Sequence, residues 1–179
     1  MAVPFAAHAT TVNGYTLTAS PDGNACSGLL GTSPTCVDLN GSPQIIKFDF
    51  NDNGEVSGTE INPLFPSIDG TEFSFDFGTG GTGTGTWYYA PDDATDPGIT
   101  SFTAKGGNGF NWFVKDGPAF AGIGDYSMFS TPTNASGNPA GLSNLTFFDS
   151  ATVIPLPAAG WLLLGGIGGL AALRRKKAA

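Results

Sequence analysis

Residues 49–60 of this 179-residue chain carry oxygen-bearing side chains at the spacing of a twelve-residue calcium loop. Asp49, Asn51 and Asn53 fall at positions one, three and five, and Gly54 falls at six. Glu55 offers a carbonyl at seven, Val56 fills the apolar eighth slot, and Ser57 and Glu60 take nine and twelve. Calcium takes six to eight hard oxygen ligands and closes its loop on a bidentate carboxylate, so residue types and order fit. The flanks differ from a helix–loop–helix unit. A strand pattern precedes the loop, and Pro63 and Pro66 block a regular helix after it. Two asparagines also lower the ligand charge. The flanks favour reading the same residues as a turn between two strands, with Asn53 and Gly54 as the turn pair.

Other chemistries find less support. Asp92, Asp93 and Asp96 form a second acidic group, which reads as a solvated loop or as a weak divalent site. Two carboxylates flanking a sugar serve glycosidases, but 15 acidic residues are scattered along the chain and nothing selects a pair. His8 is the only histidine and sits in the first nine residues. A body without histidine holds no Ser-His-Asp or Cys-His arrangement and no histidine-ligated zinc. The glycine run at 78–85 lacks the lysine and the following helix of a phosphate loop. Trp87, Tyr88 and Tyr89, with Phe110, Trp112 and Phe113, are read as core rings, some of which could stack on polysaccharide. The expectation is a non-enzymatic chain without a resident cofactor, calcium being the one candidate ion.

The elements that must position these residues are short and strand-like. No stretch before Ala158 holds a helical period, and glycine and proline are frequent. Residues 72–77 alternate most cleanly, with Phe73, Phe75 and Phe77 on one face and Glu72, Ser74 and Asp76 on the other. That is the period of a half-buried antiparallel strand. In residues 44–50, Ile46, Phe48 and Phe50 share a face opposite Ile45, Lys47 and Asp49. Further strands are expected at 15–19, 86–89, 99–104, 110–115, 126–129 and 142–148. About eight short strands with turn signals between them predict an all-β fold, a single antiparallel β-sandwich or jelly-roll-like domain over residues 10–150.

The basic residues are few. Lys47, Lys105 and Lys115 stand against fifteen acids, leaving the body a formal charge of −12. Such a body does not bind nucleic acid through a basic patch, but it attracts cations. Cys26 and Cys36 are the only cysteines, and outside the cytoplasm they are expected to pair as a disulfide. Residues 1–9 read as the remnant of a signal peptide: Ala7-His8-Ala9 resembles a cleavage site, without the basic start and full apolar core of a leader.

The chain end has a different character. Ile154, Pro155, Leu156, Pro157 and Ala158 are followed by an uncharged run over 158–173 and then by Arg174, Arg175, Lys176 and Lys177. With the proline linker at 151–157 in the headgroup zone, the run is just long enough for a transmembrane helix, which needs about 20 apolar residues. The basic tail at 174–179 belongs on the cytoplasmic side and places the body outside it. Five glycines in the run (160, 165, 166, 168 and 169) would weaken a buried soluble helix by about 1 kcal/mol each. This ordered triple resembles the VPLPA-type C-terminal sorting domain, a relative of the PEP-CTERM signal of Gram-negative bacteria, with Ile154 in place of the usual valine. The resemblance implies an exosortase-type processing enzyme as partner. It also implies anchoring in the inner membrane before processing, then delivery to the cell surface or extracellular matrix, where biofilm polysaccharide would be a neighbour. A looser resemblance to the short all-β domain of small PEP-CTERM proteins rests on residues 25–28, 67–73, 85–87, 96–100, 105–107 and 141–145. It implies fold and location, and no activity. The alternative expectation for the body is a calcium- or polysaccharide-binding surface module.

Overall fold

The computed structural model describes residues 11, 12 and 14–149. The leader at 1–9, the sorting motif, the apolar run and the basic cluster lie outside the described residues. Among the described residues every regular element is a strand. In chain order these are β1 (Thr11–Val12), β2 (Tyr15–Ala19), β3 (Ser27–Gly28), β4 (Gly31–Thr32), β5 (Gln44–Phe50), β6 (Val56–Ile61), β7 (Phe73–Asp76), β8 (Thr84–Tyr89), β9 (Ile99–Gly106), β10 (Gly109–Lys115), β11 (Asp125–Ser130) and β12 (Leu142–Asp149). The strands expected from the alternation all occur. Strand β6 was hidden inside the calcium spacing, and β1, β3 and β4 are two residues each.

The strands form a seven-stranded sheet in the order β1-β2-β10-β9-β12-β5-β6, a three-stranded sheet β11-β8-β7 and the small hairpin β3-β4. Every pairing is antiparallel. Rings from the two larger sheets meet in one core. Trp87 on β8 packs edge-on against Tyr15, Phe102 and Phe147 at centroid distances of 5.5, 5.3 and 5.1 Å. Phe73 and Phe75 on β7 meet Phe48 at 5.3 and 5.0 Å. Edge-to-face geometry sets the positive rim of one ring on the negative face of the next, which adds to the gain from burying the rings. The architecture is all-β and consistent with a sandwich.

The other face of the long sheet is also covered. Ala25, Cys26, Leu30 and Cys36 pack on Phe110, Trp112 and Phe148 as a second, smaller cluster. The expected disulfide is present: Cys26 and Cys36 are bonded, with their Cα atoms 5.5 Å apart. It closes the β3-β4 hairpin into a lid over the sheet. The lid also supplies Asp38, whose Oδ2 accepts from the buried Ser101 hydroxyl at 2.6 Å.

Candidate functional site

The residues of the calcium spacing form the β5-β6 hairpin. Phe50 pairs with Val56, Asp49 with Gly58 and Lys47 with Glu60. The turn is closed by its own bonds. Asn51 Oδ1 accepts the amides of Asn53 and Glu55, and Asn51 Nδ2 donates to Glu55 Oε2 at 2.9 Å. Gly54 has φ +80°, a left-handed conformation that favours glycine. Asp49 and Glu60, first and last in the spacing, both bond Lys47 Nζ at 3.0 and 3.2 Å. Burial works against the Lys47 ammonium, but its bonds to Asp49 and then Glu60 outweigh this and hold its pKa up. Ser57 stands exposed on β6. A lysine therefore bridges the two end carboxylates, and the amide oxygen at position three serves the backbone.

Among the described residues, the carboxylates that converge are Glu72, Asp92 and Asp96, one oxygen of each lying within 4.8 Å of the others. Glu72 directly precedes β7, while Asp92 and Asp96 lie between β8 and β9. Two turns of like sequence bring them together. In Asp69-Gly70-Thr71-Glu72, the Glu72 oxygens accept the amides of Asp69 and Gly70 at 3.1 and 2.8 Å, and Asp69 Oδ1 accepts the amide and hydroxyl of Thr71. In Asp93-Ala94-Thr95-Asp96, Asp96 Oδ2 accepts the amides of Asp92 and Asp93 at 3.1 and 3.0 Å, and Asp93 Oδ1 accepts the amide and hydroxyl of Thr95. Those Thr71 and Thr95 bonds hold the Asp69 and Asp93 carboxyls below the ordinary range. The acidic group read from 92, 93 and 96 is thereby split: Asp93 serves its own turn, and Glu72 takes its place.

The burial is uneven. Asp92 is exposed, Glu72 is buried and Asp96 is 0% exposed. Asp96 Oδ1 has no hydrogen-bond partner. The lysines bond elsewhere: Lys47 on the hairpin, Lys115 on Asp125 and Lys105 on the Gly107 carbonyl. Beside the cluster, the Tyr89 hydroxyl donates to the Pro97 carbonyl at 2.9 Å. Burial first, then the charges of Asp96, Glu72, Asp149 and Asp92, push the Tyr89 phenol far above its ordinary value. The sequence signal for this site was the repeated Asp-x-Thr-acid turn, which proximity along the chain did not reveal.

The aromatic residues divide by face. Trp87, Tyr89, Phe110, Trp112 and Phe113 are buried, more than alternation alone expects, because β10 is covered on both faces, with Phe110 and Trp112 under the lid and Phe113 in the main core. Tyr88 and Tyr126 stand exposed on neighbouring strands of the three-stranded sheet, stacked at 6.0 Å and 14° between planes. Ser74 continues the row across β7, and exposed Met128 lies two residues along β11. A depression of about 350 Å³ opens elsewhere, between Asn108, Asn134 and Ala140, with Asp22 as the ionisable group in its wall. One carboxylate does not make an acid–base pair.

Comparison with known proteins finds no family model, no curated protein and no solved structure that matches the chain.

Proposed function

We propose that this chain is an exported, non-enzymatic cell-surface or extracellular-matrix protein. Its sandwich or jelly-roll-like domain over 10–150 is delivered by the C-terminal signal and held by a transmembrane helix over 158–173 until an exosortase-type enzyme processes it. The observation that carries this reading is the ordered tail: the motif Ile154, Pro155, Leu156, Pro157 and Ala158, then the uncharged run, then Arg174, Arg175, Lys176 and Lys177. The Cys26–Cys36 disulfide agrees with an oxidising compartment. A body with three lysines and fifteen acids suits a solvated life outside the cell. Replacing Pro155 and Pro157 by alanine should leave the protein in the inner-membrane fraction. Unchanged release to the surface would count against the proposal.

A second reading takes the body as a polysaccharide-binding module, carried by the exposed Tyr88–Tyr126 pair. Sugar rings stack on such faces, with polar neighbours such as Ser74 and Asp76 to orient hydroxyls. Retention on immobilised matrix polysaccharide should be lost in Tyr88→Ala/Tyr126→Ala. Equal retention of variant and wild type would dismiss this face.

A further inference from the structure

We infer that Glu72, Asp92 and Asp96 bind a divalent cation of the calcium class, held between the two Asp-x-Thr-acid turns. The cation site does not rest on the sorting proposal or on the polysaccharide reading. Three carboxylates offer oxygens within 4.8 Å of one another, where like charges repel unless a cation joins them. The lysine ammonium groups are bound elsewhere on the body. The independent observation is the Asp96 carboxylate itself. It is fully buried, its Oδ2 is held by two backbone amides, and its Oδ1 faces no donor. A buried carboxylate oxygen without a donor is costly, and a cation shared with Glu72 and Asp92 satisfies it while also relieving the repulsion among the three carboxylates.

The preference for calcium follows from the donors. They are hard oxygens, which exclude soft metals as first choice. Exposed Asp92 lies on a turn open to solvent, so water can complete a large and irregular shell. Magnesium demands a tighter octahedron and gives up its own waters reluctantly. Glu72 and Asp96 are fixed in advance by their amide bonds, so binding orders mainly Asp92. The field of these acids already reaches Tyr89, whose phenol they push up after burial does.

The full chain, purified in mild detergent and stripped with chelator, provides the test. Calcium at about 10 mM should raise Tm by about 5 °C and give a calorimetric isotherm in the range of extracellular calcium modules, about 10⁻⁴–10⁻³ M. Magnesium at equal ionic strength should do much less. Asp96→Asn keeps the acceptor for the Asp92 and Asp93 amides and replaces the charged, partnerless Oδ1 with a neutral NH2. It should melt higher than wild type in chelator and lose the calcium response. Asp92→Asn, on the exposed turn, should melt like wild type in chelator and bind calcium about tenfold more weakly; it carries the test if Asp96→Asn does not fold. The double variant Asp49→Asn/Glu60→Gln should keep the response. The inference is overturned if wild type gives neither heat nor a Tm shift. It is equally overturned if the response survives Asp96→Asn, if Asp92→Asn binds with wild-type affinity, or if the hairpin variant alone abolishes binding.

Discussion

The β5-β6 hairpin and the loops beside Tyr89 both gather carboxylates, but only the hairpin brings a lysine to them. Lys47 lies on β5 two residues from Asp49 and directly across from Glu60, so strand register alone delivers the countercharge. The loops deliver Glu72, Asp92 and Asp96 from two separate turns, and backbone amides are their donors. The hairpin acids keep 36% and 42% of their side-chain surface exposed, whereas Glu72 and Asp96 are buried. Partly exposed ion pairs contribute little because water and salt screen them. Buried carboxylates depend on every donor they have. The residue types are alike, and their consequences for stability differ with burial and with the partner supplied.

The largest effect should come from the buried member of that contrast. Glu72→Ala removes the acceptor for the Asp69 and Gly70 amides and releases the turn in front of β7. Relief of repulsion with Asp92 and Asp96 offsets part of the loss, so a cost of about 2 kcal/mol is expected in chelator, measured by urea denaturation. Glu72→Gln, which keeps one acceptor oxygen, should cost clearly less. A loss for Glu72→Ala within about 0.5 kcal/mol, the range of an ordinary surface change, would put both acidic groups in the same class.

Next in size is the hairpin. Lys47→Met keeps the aliphatic stem and removes the charge shared by Asp49 and Glu60. The expected cost is about 1 kcal/mol at low ionic strength, shrinking in 1 M NaCl as the remaining repulsion is screened. A larger loss that salt does not touch would mean that the hairpin acids behave as buried groups.

The strands and the acids were not equally readable. Alternation located β5 and β7 because a sheet with one face on a core repeats every two residues. It placed Ile45 with the polar residues Lys47 and Asp49, yet Ile45 is fully buried. The pattern of one strand does not show what its neighbours cover at each end. The lid over Phe110, Trp112 and Phe148 was out of reach for the same reason: its cluster is built from Ala25, Leu30 and two cysteines, too short a set to show a period. The calcium spacing was read correctly as a pattern, but ligand order along a chain does not specify where a neighbouring lysine falls. Glu72 and Asp96 were read apart, one as the polar face of a strand and one as a loop acid. Their convergence depends on β7 pairing with β8, with Phe73 opposite Tyr89. Gly70, at φ +96° and packed near Ile46 and Phe48, is what lets the first turn close against the core.

The smallest effect at neutral pH should come from the tyrosine beside the unanswered acids. Tyr89→Phe removes one neutral hydrogen bond, from the hydroxyl to the Pro97 carbonyl, and should cost about 0.5 kcal/mol at pH 7. Its pH dependence is more informative. Burial, then Asp96, Glu72, Asp149 and Asp92, raise the phenol in the folded state, while in the unfolded chain it titrates near its ordinary value of about 10. A raised pKa contributes stability that is fully present below about pH 10 and is lost as pH climbs toward the folded value, because the unfolded state ionises first. The variant lacks that loss. The gap between wild type and Tyr89→Phe should therefore close above pH 10 and then change sign, read as urea midpoints at pH 7 and pH 11. Tyr15 is the internal comparison. Its phenol is raised by burial first and then by Asp125, and Asp125 is answered by Lys115. Tyr15→Phe should cross over in the same alkaline window, because for both phenols the loss between pH 7 and pH 11 is set by ionisation of the unfolded chain near pH 10. A gap for Tyr89→Phe that stays unchanged from pH 7 to pH 11 would mean that the folded phenol ionises as readily as the unfolded one, against the direction set by burial and the neighbouring acids.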